Sequence, residues 1–240
     1  MFHYIQSGIC LFILLISHPS FASQQTQPDD FILVSSTILQ PVYEPLAEQI
    51  ANDFDLEDMK GIGIDLGSGP GDLIIELCKR TKYLHWVNAD INPEYFPEFI
   101  LKAKKAGFEN RVSAMYADAV KLPFHDDFAD ILVSRGSFHL WGNQTDAFRE
   151  IFRVLKPGGI AFVGRGFSRN LPIETAQKIR KGQSKRGSGP KYDVDDTAAK
   201  LESIMKSLAI SDYHLHLPKP PGGEDINYGI WLEFHKPLLK

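Results

Sequence analysis

The amino-acid sequence predicts an α/β fold built on a doubly wound, mostly parallel sheet, and three observations carry that expectation. Short apolar runs alternate with amphipathic helical stretches, which implies parallel strands joined by crossover helices. The stretch Gly61 to Leu73, GIGIDLGSGPGDL, reads as a buried strand, a glycine turn and the first turn of a helix. The 240 residues are 43% hydrophobic, enough for one globular domain with a full core.

Ile9 to Ile16, ICLFILLI, is an apolar run too short to span a bilayer, and Ser20-Phe21-Ala22 puts small residues where a signal peptidase cuts. Residues 1 to 22 therefore read as a signal peptide that exports the chain, leaving no transmembrane span in the mature protein. The segment carries only the terminal amine and His3 where Lys or Arg normally stand, so a mis-assigned start with a cytoplasmic protein, or an uncleaved anchor, stays open. Ile9 is not small, which excludes Cys10 as a lipoprotein anchor. With that segment removed, Cys78 is the sole cysteine, and its spacing with Leu73, Ile74 and Leu77 favours a buried small hydrophobe over a nucleophile. No Cys or His cluster at ligand spacing supports a metal.

Glu44 to Phe54 reads as an amphipathic helix opened by Pro45, with Leu46, Ile50 and Phe54 on one face. Ile62, Ile64 and Leu66 give the first strand its apolar residues. Pro93 to Ala106 and Asp146 to Leu155 are further crossover helices, the second stopped by Pro157-Gly158-Gly159. From Asn170 to Tyr192 the pattern breaks into a short helical piece and a glycine- and serine-rich stretch holding Lys178, Arg180, Lys181, Lys185, Arg186 and Lys191. A lid that meets an anionic substrate and a solvated mobile loop both fit, the loop being the simpler reading. Val194 to Leu208 is amphipathic, and Tyr213 to Leu217 and Ile230 to His235 alternate as a closing antiparallel pair. The organisation is one domain over residues 23–240, with a core at about 44–166, the insertion at about 170–192 and the terminal helix and strand pair at 194–240.

A strand running through a glycine turn into a helix marks a nucleotide site at the carboxyl ends of a parallel sheet. The dinucleotide pattern G-x-G-x-x-G fails because Asp72 occupies the third glycine position, and the Gly-Lys-Ser/Thr ending of a phosphate loop is absent. What remains, Asp-x-Gly-x-Gly-x-Gly, resembles the first motif of class I S-adenosylmethionine-dependent methyltransferases of the methyltransferase type 11 kind. The resemblance continues through Asp90 in WVNADINPEYF, Asp118 in YADAVKLPF, DILVSRGSFHLW from Asp130 and LKPGGIAFVGRG from Leu155, in family order. It covers roughly Gly61 to Gly166 and implies a Rossmann-like seven-stranded sheet, mostly parallel with an antiparallel last strand.

The resemblance also implies a site. Asp65 and the backbone around Gly67, Ser68, Gly69 and Gly71 would meet the methionine end of S-adenosyl-L-methionine, where a helix N-terminus favours negative charge. Asp90, 19 residues after Gly71, would accept from both ribose hydroxyls, and Ile91 would cover an adenine face. Asp118 and the Ala119 amide would read the adenine edge, although a turn aspartate is the plainer role for Asp118. Tyr43 stands where relatives often place an aromatic over the cofactor, with ordinary packing slightly favoured. Ser134 and Arg135 would lie nearest the cofactor on the acceptor side, with Phe138, His139 and Trp141 forming an acceptor wall. His139 is either a general base or a helix-start histidine in packing.

Ser134-Arg135-Gly136-Ser137 replaces the Asp/Asn/Ser-Pro-Pro-aromatic signature of enzymes that methylate amines of DNA and proteins, and Cys78 is misplaced for cytosine C5 chemistry. A net charge of −4 without aromatic-studded basic stripes disfavours nucleic acid. The expected acceptor is a small molecule. An exported, non-catalytic domain that holds a nucleoside-like ligand or a partner is the alternative, and an NAD-dependent oxidoreductase fails at Asp72. Acceptor identity and oligomeric state are not readable from the sequence.

Overall fold

The computed structural model describes residues 28–185, 192–220 and 226–238, so the signal-peptide segment and the stretch from Arg186 to Lys191 lie outside the described residues. Seven strands form one sheet: β1 (Lys60–Leu66), β2 (Tyr83–Asp90), β3 (Val112–Tyr116), β4 (Ala129–Arg135), β5 (Leu155–Gly166), β6 (Tyr213–His216) and β7 (Gly229–His235). Their order is β3-β2-β1-β4-β5-β7-β6, parallel through β5. β7 then runs antiparallel to both β5 and β6, as expected of the closing pair. The order reverses between β1 and β4, and a crevice opens at such a reversal beyond the carboxyl ends of the strands.

Helices α2 (Gln40–Asp53), α3 (Asp72–Cys78), α4 (Phe96–Lys105) and α6 (Ile173–Lys185) cover one face, and α5 (Gln144–Val154) and α7 (Val194–Ser207) the other. Each face has its own buried cluster, with Leu46, Ile50, Leu77 and Trp86 on the first and Leu132, Phe148, Ile151 and Leu232 on the second. Both sides of the central strands are therefore withdrawn from water, which is why they read as apolar runs. Asp130 pins the register of the middle strands. One oxygen of its carboxylate accepts from the Ile62 amide at 2.8 Å and from Lys156 Nζ at 2.7 Å, tying β4 to β1 and β5.

Four local readings differ from the sequence expectation. A helix α1 (Pro28–Thr37) precedes α2, and α2 itself starts four residues before Glu44, so Pro45 sits inside it. α5 begins at Gln144, capped by Asn143, whose side chain accepts from the Asp146 amide at 3.3 Å. It ends at Val154 because Leu155 already pairs with Ala129 in β5, and Pro157-Gly158-Gly159 form an irregularity inside that strand rather than the helix stop. The short helical piece expected after β5 is α6, which buries Ala176 and Ile179 against the α2 side of the core. Cys78 is 2% exposed and burial pushes its thiol up to about 11, which fits packing and not nucleophilic chemistry.

Candidate cofactor and acceptor site

The Gly67-Ser68-Gly69-Pro70-Gly71 turn leaves β1 at the topological reversal. Each of its glycines has a positive φ, of 69°, 55° and 76°, a region that side chains rarely adopt. A β-carbon on Gly67 would fall 2.4 Å from Ser137, one on Gly69 2.9 Å from the Phe31 ring, and one on Gly71 2.0 Å from Phe99 Cδ2. The missing side chains thus make room for the protein's own neighbours. Their amides are also taken internally: Gly67 N–H donates to Ala89 O at 2.7 Å, Gly69 N–H to Asp90 Oδ2 at 2.7 Å and Gly71 N–H to Ser68 O at 3.1 Å. Pro70 has no N–H. The expectation that the glycine amides face a ligand is corrected accordingly, and Ser68 is the turn's remaining donor. Its hydroxyl is buried and meets no partner within hydrogen-bond geometry among the described residues.

Asp65, next to last in β1, is 2% exposed, and no cation of the described residues forms an ion pair with it. Burial raises its pKa from 3.8 to about 7; Ser68, short of hydrogen-bond geometry, and more distant Arg135 oppose the rise, while Asp90 adds to it. A buried carboxylate in that condition fits an ammonium. Asp90, 6% exposed, accepts from the Gly69 amide on one oxygen and from the Asn92 amide on the other, at 2.8 Å. Each oxygen keeps a lone pair for a hydroxyl donor. Burial raises the Asp90 pKa as well, against the pull of the Asn92, Gly69 and Ile91 amides. Ile91 beside it is 51% exposed, an apolar surface that a flat ring can cover. Asp118 holds a turn, accepting from the Val120 amide at 3.1 Å on one oxygen, with Ala119 buried next to it.

On the acceptor side, Ser134 is fully buried and its hydroxyl bonds Ser137 Oγ at 2.7 Å, which in turn donates to Leu66 O at 3.0 Å. Its side chain braces the turn through Ser137. Arg135 lies 5.4 Å from the Tyr43 ring. Tyr43 itself is packed, its hydroxyl 2.7 Å from Ser35 Oγ, which donates to Asp72 Oδ2 at 2.6 Å; Lys102 Nζ holds the other Asp72 oxygen at 2.7 Å. A hollow of about 330 Å³ is lined by Tyr43 and Asp72 together with Gln40, Glu76 and Lys105.

Phe138 and His139 line a cleft of about 310 Å³ with Gln144, Arg165 and Tyr192. Trp141 does not line it, but packs edge-on against Phe148 at 5.7 Å and Phe138 at 6.5 Å, supporting the wall from behind. Desolvation and the Arg165 charge hold the His139 pKa below its ordinary 6.5, so at neutral pH its imidazole is uncharged and a weak proton acceptor. Its outer surface stays open to solvent. Arg165, Tyr192, Asn88 and Phe31 were not singled out from the sequence as site residues. Arg165 had a visible signal, a lone charge between Gly164 and Gly166 at the end of an apolar strand. Asn88, which donates to Gly69 O at 3.0 Å, had none.

Residues 64–163 match the family described as a methyltransferase domain. A methyltransferase of Methanococcus maripaludis, assigned as S-adenosyl-L-methionine-dependent, superposes with a TM-score of 0.76 at 28% identity, over 89% of this chain and 93% of that one. Residues 64–163 thus carry a methyltransferase domain, and the chain is similar to the class I S-adenosylmethionine-dependent methyltransferases. The cofactor of this methyltransferase family is S-adenosylmethionine. Similar curated proteins include the ubiquinone/menaquinone biosynthesis C-methyltransferase of Vibrio vulnificus, 35% identical over 40% of this chain and 37% of that protein. The 2-methyl-6-phytyl-1,4-hydroquinone methyltransferase of spinach is 31% identical over 54% of this chain and 37% of that one. The chain thus spans well under two thirds of the length of these two relatives. No helix among the described residues is long and apolar enough to cross a membrane.

Proposed function

We propose that the protein transfers a methyl group from S-adenosylmethionine to a small-molecule acceptor. The observation that carries this reading is Asp65: a buried carboxylate without an ion-pair partner among the described residues, beside a glycine turn, matches the ammonium of the cofactor's methionine end. Ser68 lies ready to donate to the carboxylate of that end, and Asp90 to accept from the ribose. The bound cofactor supplies a methyl carbon activated by its sulfonium. The protein's task is then to align and to exclude water, for which effective molarity supplies about 7 kcal/mol or more in well-oriented systems. Phe138, backed by Trp141, gives the acceptor wall an apolar surface. His139, neutral at physiological pH, accepts a hydrogen bond or a proton from an acceptor that is already acidic.

The quinone-related names of the Vibrio vulnificus and spinach relatives support a small-molecule acceptor. Calorimetric titration of the purified full-length protein with S-adenosylhomocysteine tests the reading, and absence of binding overturns it. Binding followed by labelled-methyl transfer to small-molecule extracts supports it; tight binding with no transfer supports a non-catalytic domain of the same fold.

A further inference from the structure

Arg165 lines the acceptor cleft, and Arg135 and Arg180 lie behind it, each close enough for its charge to be felt at the cleft's inner end. Arg135 ends β4 in register with Gly164 of β5, so Arg165 stands one residue further along that strand, paired with Ile230 of β7. Strand alternation sends these two to opposite faces of the sheet, and Arg180 reaches the same edge from α6. Arg165 lies 3.9 Å from the centroid of the Tyr192 ring. Arg180 lies 4.2 Å over Phe167 and donates to Asn227 O at 3.2 and 2.8 Å and to Gln183 at 3.0 Å. That uses three of its five N–H groups.

Among the described residues none of these three has a carboxylate partner, whereas Arg80, Arg149, Arg153 and Arg169 each do. The Tyr192 hydroxyl and Arg135 Nε are buried and meet no partner within hydrogen-bond geometry among the described residues, the Asn227 side chain being a polar influence on Tyr192. Burial foremost, with Arg135 and Arg165 adding to it and Tyr192 opposing, holds Arg180 down to about 10. Other charges around the cleft are Lys200, Asp193 and Asp196, all exposed at its outer rim, and Asp193 spends one oxygen capping α7. The inner end is therefore a desolvated positive charge awaiting an anion, and a planar guanidinium is suited to paired hydrogen bonds with an oxyanion.

We infer that the methyl acceptor carries an oxyanion, a carboxylate or a phosphate, which seats between Arg165 and Arg180 against the Tyr192 hydroxyl. The inference rests on the methyltransferase reading and narrows it. β4 separates this inner end from the glycine turn after β1, which assigns the anion to the acceptor and not to the cofactor.

The test titrates the full-length protein, free and saturated with S-adenosylhomocysteine, with benzoate, phenyl phosphate, inorganic phosphate and the neutral benzamide. Benzoate or phenyl phosphate is expected to bind about tenfold or more tightly than benzamide, given the strength of charge-assisted pairs. Arg165→Gln should abolish that preference and Arg165→Lys keep part of it, with S-adenosylhomocysteine affinity unchanged in both. Benzoate alone identifies a carboxylate, and phenyl or inorganic phosphate alone a phosphate. No preference over benzamide overturns the inference, as does a preference that survives Arg165→Gln. Failure to bind S-adenosylhomocysteine sinks the methyltransferase reading instead, and the titrations of the free protein still decide the anion site.

Discussion

Replacing Asp65 by Asn keeps the shape of the side chain and removes the charge on which the cofactor reading depends. A pKa of about 7 in place of 3.8 means that the site costs the ionised carboxylate roughly 4 kcal/mol relative to a solvated one, at about 1.4 kcal/mol per pKa unit, so that at neutral pH the two forms are about equally populated. The folded value lies above the unfolded one, so the stabilisation from the protonated form is full below 3.8 and is lost as pH rises through about 7. A bound ammonium favours the ionised form and expels a proton. Affinity for S-adenosylhomocysteine should therefore climb close to tenfold per pH unit up to about 7 and then level off, roughly thirtyfold between pH 5.5 and 8. Titration calorimetry in buffers of different ionisation enthalpy reads both the affinity and the released proton. Asp65→Asn should flatten the profile, bind about ten- to a hundredfold more weakly at pH 8 and yet melt higher there, since a buried charge has gone. Wild-type affinity that does not change with pH, or Asp65→Asn binding like wild type at pH 8, refutes the assignment.

Gly71→Ala should destabilise the protein by about 2 kcal/mol or more in chemical denaturation, because strain at positive φ adds to a clash with Phe99. A loss under about 0.5 kcal/mol, the scale of an unremarkable surface substitution, would contradict that packing. Asp72→Ala removes the acceptor shared by Ser35 and Lys102 and should cost about 1–3 kcal/mol, with hydrogen exchange rising first in α1. His139 should titrate below 6.5 by imidazole NMR, and addition of a bound anion beside Arg165 should raise that value. Fusion of residues 1 to 30 to a reporter active on only one side of the membrane tests export, with activity outside expected and activity inside contrary to it.

The strands were legible because most are short apolar runs, those of β1, β2 and β4 closing at or beside Asp65, Asp90 and Arg135, while the architecture of the sheet followed from the family resemblance. Helix α1 was not, since PDDFILVSST shows weak periodicity and its placement depends on Phe31 meeting Gly69, a contact between residues far apart in the chain. The short helical piece after β5 was legible, but its packing was not: that Ala176 and Ile179 are buried against the core is set by tertiary contacts. In the glycine turn the sequence reveals the backbone freedom but not the destination of the amides. Those destinations belong to Ala89, Asp90 and Ser68, two of them on another strand. The crowd of arginines was invisible for the same reason, with Arg135, Arg165 and Arg180 brought together by three separate elements.

Asp72 occupies the position where a dinucleotide-binding turn would carry its last glycine, and here it is the knot that fastens α1, α2 and α4 to the start of α3 through Ser35, Tyr43 and Lys102. A change of cofactor class at this turn is therefore more than a loop edit. Restoring glycine there would untie three helices at once, so the cofactor preference of this scaffold is written into the attachment of its amino-terminal half.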